Sequence, residues 1–304
     1  MYVINEMYIK EIKKLKKEKN AVILAHNYQR PEIQDIADFV GDSLGLSIEA
    51  SKTKADTIVF CGVDFMAETA KIINPGKQVL IPEKAFCPMA MMLSPGEIKS
   101  AKEKYNVPVV LYVNTHAACK ALADYACTSA NAVKVINSID SDTVIFGPDK
   151  NLADYVRRKT KKKIISVPED GMCPVHHQIS PGDVKRAKDM HKNAKVVVHP
   201  ETKTDVQKLA DFVGSTEQMI NYCKNSYNSE FIIGTENGII YRMEKKMPGK
   251  KFYPASETAI CTNMKMTTLE SVFNSLKHEK FEINLDEKII KDAKLGIERM
   301  LELI

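Results

Sequence analysis

TIVFCGVDFMAETAKIINPGKQVLIPEKAFCPM, residues 57–89, reads as a strand–helix–strand unit that ends on a cysteine. Thr57–Cys61 is a β-branched run stopped by Gly62. Phe65–Ile73 carries apolar residues at helical spacing, with Asp64 placed to cap it and Asn74-Pro75-Gly76 to end it. Gln78–Ile81 is a second strand, stopped by Pro82. The unit recurs as TVIFGPDKNLADYVRRKTKKKIISVPEDGMCPV at 143–175 and FIIGTENGIIYRMEKKMPGKKFYPASETAICTN at 231–263. Cys87, Cys173 and Cys261 stay in register, at intervals of 173 − 87 = 86 and 261 − 173 = 88.

A second repeated segment precedes each unit: AVILAHNYQRPEIQDIADFVGDS at 21–43, VPVVLYVNTHAACKALADYACTSAN at 107–131 and AKVVVHPETKTDVQKLADFVGSTEQM at 194–219. Its landmarks keep the same step. His26, Tyr112 and His199 are spaced 86 and 87, as are Ala37, Ala123 and Ala210, which open Ala-Asp-aromatic triplets. The period exceeds that of solenoid repeats, so each copy is a small domain. In copy one, a strand over Val22–Leu24 ends at His26 and Pro31 opens a helix. A second strand, Asp38–Gly41, and a second helix, Leu44–Lys54, follow.

Strands alternating with helices across short connections predict an α/β fold of three homologous three-layer αβα domains. Each has a four-stranded parallel sheet with right-handed crossovers. The boundaries fall at 1–104 (with a basic N-terminal helix), 105–192 and 193–280. An amphipathic C-terminal helix within 281–304, over Leu285–Ile304, packs back on the body. Pro95–Lys104 and Pro181–Met190, both begun by Ser-Pro-Gly, link one copy to the next. If the copies face one another with pseudo-threefold symmetry, one thiol from each reaches a common point.

Composition excludes several classes. A net charge of +5, spread along 304 residues, suits small anionic ligands and argues against a dedicated nucleic-acid surface. No apolar run approaches the roughly 20 residues that span a bilayer. The start reads as a helix rather than an export signal, which points to the cytoplasm. There the thiols stay reduced and a disulfide framework is not expected.

Ligands bind outside the carboxyl ends of strands in open α/β sheets. His26, Tyr112 and His199 end first strands; Ser43, Ser129 and Thr216 follow second strands, each 17 residues on. A hydroxyl there caps a helix, contacts an anion, or does both. Alternation places His26 with Tyr28, Tyr112 with Asn114, and His199 with Glu201 on common sides. His176 and His177 follow Cys173 and are either donors beside it or exposed; His116, His191 and His278 receive no role. Cys61, Cys119, Cys127 and Cys223 have no counterparts and read as core fillers, and the methionines at 89, 91 and 92 as packing.

No Cys-x-x-Cys pair is present, which excludes a zinc ribbon or an ordinary ferredoxin loop. Three-Cys zinc with water remains open. A [4Fe–4S] cluster fits better, because three irons take one cysteine each and the fourth can serve as a Lewis acid for dehydration. These residues point to an iron–sulfur lyase or synthase acting on a small anion. A three-Cys zinc-dependent hydrolase or aldolase and a non-catalytic iron–sulfur sensor are the alternatives.

The chain resembles the quinolinate synthases, the A proteins of NAD biosynthesis, over essentially its whole length. The resemblance rests on AHNYQ at Ala25–Gln29, GDSL at Gly41–Leu44, GVDFMAETAKI at Gly62–Ile72, YVN at Tyr112–Asn114, TSAN at Thr128–Asn131, FGPDKNLA at Phe146–Ala153 and HPE at His199–Glu201. It implies three α/β domains around a [4Fe–4S] cluster held by Cys87, Cys173 and Cys261. It also implies condensation of iminoaspartate with dihydroxyacetone phosphate to quinolinate, phosphate and water. An aspartate-oxidising enzyme would then supply the iminoaspartate. The implied substrate contacts are His26, Ser43, Tyr112, Asn114, Ser129, His199, Glu201 and Thr216, with Tyr28, His199 and Glu201 as catalytic candidates. Some members carry a Cys-x-x-Cys-x-x-Cys run at the last cysteine. Here Cys261 stands alone in ICTNM, without the partners a regulatory disulfide would need.

Overall fold

The computed structural model describes residues 2–303. It contains twelve strands in three sheets. The first has β1 (Ala21–His26), β2 (Phe39–Gly41), β3 (Thr57–Cys61) and β4 (Gln78–Leu80). The second has β5 (Val109–Tyr112), β6 (Tyr125–Cys127), β7 (Thr143–Gly147) and β8 (Lys163–Ser166). The third has β9 (Lys195–Val198), β10 (Phe212–Val213), β11 (Glu230–Gly234) and β12 (Lys251–Pro254). The strand orders are β2-β1-β3-β4, β6-β5-β7-β8 and β10-β9-β11-β12, and every pairing in them is parallel. In each, the chain steps from the first strand to one side and returns on the other. That reversal opens a crevice beyond the strand ends.

The aspartate of each Ala-Asp-aromatic triplet explains part of the repeat. Asp38, Asp124 and Asp211 each accept a hydrogen bond at 2.8 Å from a first-strand amide, those of Ile23, Val109 and Val196. One short acid thus locks the second strand of each sheet beside the first. The central strands are buried on both faces, as parallel sheets covered by helices require. Full burial of each Ile, Val or Phe there contributes on the order of 1.5–3 kcal/mol.

Linking helices begin where Ser-Pro-Gly placed them, at Pro95–Tyr105 and Pro181–Met190. Ser94 with Glu97 and Ser180 with Asp183 form capping boxes. The basic N-terminal helix, Tyr2–Glu18, packs Ile12 against Leu269, Val272 and Leu276 of the helix Leu269–His278. The C-terminal helix, Glu287–Glu302, is shorter than expected, and Met1 and Ile304 lie outside the described residues. It docks beside β6, where Gly296 meets the backbone of Tyr125 and Ala126 and Arg299 donates to the Asp124 carbonyl at 2.7 Å.

One expected cap is wrong. The helix after β3 starts at Asp64 itself, so Asp64 occupies its first turn instead of its N-cap. Its carboxylate accepts from the amides of Phe65 and, across the loop, Cys87. The four unmatched cysteines are buried, as their reading as fillers required. Met89 is buried but Met91 is exposed, so packing accounts for only part of that run. No helix among the described residues is long and apolar enough to cross a membrane.

Candidate functional site

The strand-end residues converge. A cavity of about 190 Å³ is lined by His26, Tyr28, Ser43, Tyr112, Asn114, Ser129, His199, Glu201 and Thr216, together with all three repeated cysteines. Every position singled out for substrate, catalysis or metal therefore opens onto one space drawn from all three sheets.

The hydroxyl positions are free for a ligand because their neighbours do the capping. Asp42 caps the helix Ser43–Lys52 by accepting from Gly45, and Ser215 caps Thr216–Asn225 by accepting from Gln218. The Ser215 hydroxyl also donates to Asp42 at 3.0 Å, which fastens the third copy to the first. Thr216 Oγ1 accepts from Asn27 Nδ2 at 2.7 Å. Ser129 lies in the turn before the helix Ala132–Ser138 and contacts His199 Nε2 at 3.1 Å.

His26 and His199 share a backbone device. Nδ1 of His26 accepts from the Tyr28 amide at 3.2 Å, and Nδ1 of His199 from the Glu201 amide at 3.3 Å. Nε2 is left as the protonated nitrogen of each neutral ring. Burial pushes both rings down to about 3, outweighing the Glu201 charge, which acts to raise them. Both are neutral at physiological pH and present an N–H donor rather than a charge.

Glu201 is buried at 3 % exposure, where desolvation alone would favour its acid form. The adjoining His176 outweighs burial and holds the carboxyl below its ordinary range. His176 Nδ1 lies 2.7 Å from Glu201 Oε2 and 3.1 Å from Cys173 Sγ. Its Nε2 lies 2.7 Å from the Thr235 hydroxyl, which in turn is 2.6 Å from the Tyr28 phenol. A continuous polar chain therefore runs Tyr28–Thr235–His176–Glu201. His176 is no exposed residue: it is buried and stacks on His199 with ring centroids 4.7 Å apart. Burial, then the Glu201 charge, pushes both the Tyr28 and Tyr112 phenols well above their ordinary range, so both are protonated.

Two buried acceptors in the cavity, Asn114 Oδ1 and Glu201 Oε1, find no hydrogen-bond partner among the described residues. Orphaned acceptors at this depth cost about 1–3 kcal/mol each, which a bound N–H or O–H donor recovers. Thr235 was missed in the sequence; its signal was its place directly after the glycine that ends β11.

The donor set suits a group with three sulfur ligands. Only Cys87, Cys173 and Cys261 of the seven cysteines line the cavity, and each is half-buried. Burial raises all three thiols, Cys87 to about 12, and the thiols' proximity to one another adds to the rise at Cys87 and Cys173. A cation is what favours three thiolates in such a place. Cys173, His176 and Glu201 also bring one ligand atom each to within 4.8 Å of one another, a set that could hold a single ion.

The family model for the quinolinate synthetase A protein matches residues 10–302. The chain belongs to the quinolinate synthase family. It is 55% identical over 296 residues to the quinolinate synthase of Pyrococcus furiosus, covering 97% of each chain. The quinolinate synthase of Methanocaldococcus jannaschii is 53% identical over 302 residues, covering 97% of this chain and 98% of its own. That of a Thermotoga species is 51% identical over 298 residues, covering 97% and 99%. Members of the family are enzymes of NAD biosynthesis acting on small substrates, and this chain is one of them.

Proposed function

We propose that the chain condenses iminoaspartate with dihydroxyacetone phosphate to quinolinate, with loss of phosphate and water. Its three repeats, 1–104, 105–192 and 193–280, would face one another with pseudo-threefold symmetry. Cys87, Cys173 and Cys261 would hold a [4Fe–4S] cluster. When bound, the cluster supplies a Lewis-acidic iron suited to the final dehydration. The observation that carries this reading is the convergence of three thiols from three repeats on a cavity lined by neutral donors.

The residues divide the work by their chemistry. Neutral His26 and His199 donate N–H groups to carboxylate or phosphate, assisted by the hydroxyls of Ser43, Ser129 and Thr216. Asn114 Oδ1 and Glu201 Oε1 accept from the substrate's imine N–H or hydroxyl groups. Tyr112 positions the substrate through its protonated phenol. The chain Tyr28–Thr235–His176–Glu201 joins a protonated phenol to a carboxylate through two groups that both donate and accept. Glu201 takes a substrate proton and Tyr28 delivers one, as general base and acid. An aspartate-oxidising enzyme in the cytoplasm would supply the unstable imine.

The test is quinolinate formation by anaerobically purified protein supplied with both substrates. Quinolinate release that stops after exposure to air supports the reading. A colourless protein carrying one zinc overturns the cluster assignment. The Cys173–His176–Glu201 triad favours that zinc reading, and Cys87→Ser and Cys261→Ser would then retain the ion.

A further inference from the structure

Each cysteine loop is tied to its sheet by the same pair of bonds, and one partner is an acid to which the proposed reaction gives no role. The Cys87 amide donates to Asp64 Oδ1 at 3.3 Å, the Cys173 amide to Asp149 Oδ2 at 2.8 Å, and the Cys261 amide to Glu236 Oε1 at 3.1 Å. Two residues before each cysteine, the carbonyls of Ala85, Gly171 and Ala259 accept from the amides of Asp64, Lys150 and Asn237 at 2.8, 2.7 and 2.9 Å. The acids stand in Gly62-Val63-Asp64, Gly147-Pro148-Asp149 and Gly234-Thr235-Glu236, two residues beyond the glycine that follows or ends each third strand. Their intervals, 149 − 64 = 85 and 236 − 149 = 87, track those of the cysteines.

Each acid also holds the start of the following helix. Asp64 accepts from Phe65 at 2.8 Å, Asp149 from Leu152 at 2.8 Å and Glu236 from Gly238 at 2.7 Å. Ordinary capping explains the Asp149 bond alone, and in no copy does it explain the second one, which crosses 23, 24 and 25 residues to the cysteine. Glu236 is fully buried and Asp149 is 1 % exposed, so these are expensive positions for a carboxyl group. A carboxyl group offers two acceptor oxygens and needs no second partner to present them, which suits an acid to a clamp on backbone amides.

We infer that Asp64, Asp149 and Glu236 are positioning residues, one per repeat, that pre-set the three cysteine loops for the cluster. The inference rests on the three-cysteine assignment. Committing each cysteine amide to a carboxylate fixes the backbone that aims the thiol, so the three ligand loops are ordered before any iron arrives. At Asp149 and Glu236 the two amides use different oxygens, so asparagine or glutamine turns a donor toward one of them; at Asp64 both amides share Oδ1, so alanine is the change that removes the clamp.

The test uses the full chain with Asp64→Ala, Asp149→Asn and Glu236→Gln made singly, and Asp35→Asn as a surface control. In cluster-free protein, iodoacetamide labelling of the three cysteines is followed by mass spectrometry. Labelling of the cysteine in the altered repeat should accelerate about tenfold or more, with the other two within about twofold of the parent. In reconstituted protein, the cysteinyl iron–sulfur stretching bands in the resonance Raman spectrum should shift in each variant and not in the control. Equal acceleration at all three cysteines, or none, overturns the clamp. The side chain of Asp64 is a quarter exposed, so Asp64→Ala, which removes the shared acceptor, keeps the test decisive if a buried variant fails to fold. The labelling arm needs no cluster, so it separates failure of the clamp from failure of the cluster assignment.

Discussion

Replacing Thr235 by valine removes one hydroxyl and almost nothing else. The residue is fully buried, and its hydroxyl lies 2.6 Å from the Tyr28 phenol and 2.7 Å from His176 Nε2. Valine matches the shape and breaks both contacts. Tyr28 can turn to His176, which is already 3.4 Å away, so one of the two bonds is recoverable. The net loss is then a single buried hydrogen bond and partial desolvation, about 1–3 kcal/mol, or a few degrees in Tm. Turnover should suffer far more. If protons move between Tyr28 and Glu201 through this hydroxyl, kcat should fall on the order of 10²-fold, with KM little changed. Thr235→Ser keeps the hydroxyl and loses a methyl worth roughly 0.8 kcal/mol, so it should restore most of kcat while remaining less stable than the parent. Anaerobic steady-state quinolinate assays and thermal melts of both variants decide the matter. Parent-like turnover in Thr235→Val, or a serine variant as slow as the valine one, would refute a proton path through Thr235.

Three further outcomes follow from single contacts. Glu201→Gln should keep iron content but reduce kcat by roughly 10²-fold or more, and unchanged turnover would remove Glu201 from proton transfer. Gly147→Ala would place a methyl 1.6 Å from the Val167 carbonyl oxygen, a backbone atom that cannot step aside. It should lower Tm by more than any of the site variants, and a parent-like melt would show that β7 and β8 can separate freely. His116 was given no role in the sequence, yet its Nδ1 lies 3.7 Å from Glu68, and a hydrogen bond to that carboxylate raises its pKa. The bonus is complete below the unfolded value of about 6.5 and is lost as pH rises through the raised folded value. One-third exposure of its side chain limits it to below about 1 kcal/mol. His116→Gln should therefore lower Tm at pH 5.5 and leave it unchanged at pH 8.5; an equal loss at both would assign His116 a charge-independent role.

The repeat made most of the fold legible because each copy carries its own punctuation. Gly62, Gly147 and Gly234 mark third-strand ends, and Ser94 and Ser180 open the linking helices by capping boxes that the sequence spells out. The site residues were legible for a related reason. In a parallel sheet, chemistry gathers where strands end; His26 and Tyr112 end the first strand of their copies and His199 directly follows its own. What stayed hidden depends on contacts between copies. The Asn27–Thr216 and Ser215–Asp42 bonds join residues 189 and 173 positions apart, which no local pattern encodes. His176 gave no period to follow, since its partners Tyr28, Thr235 and Glu201 lie in the first and third copies. Asp64 misled because an acid before an apolar run ordinarily caps a helix, whereas here it sits one residue inside and accepts from the Cys87 amide 23 residues further on.

In the proposed function, three cysteines, one from each copy, hold one iron–sulfur cluster. Iron and acid-labile sulfide analysis of anaerobically reconstituted protein tests it most directly, comparing the parent chain with Cys87→Ser, Cys173→Ser, Cys261→Ser and Cys119→Ser. About four irons and four sulfides per chain are expected in the parent and in Cys119→Ser, with loss of the full complement in each of the other three. A full complement in any of those three, or its loss in Cys119→Ser, would contradict it.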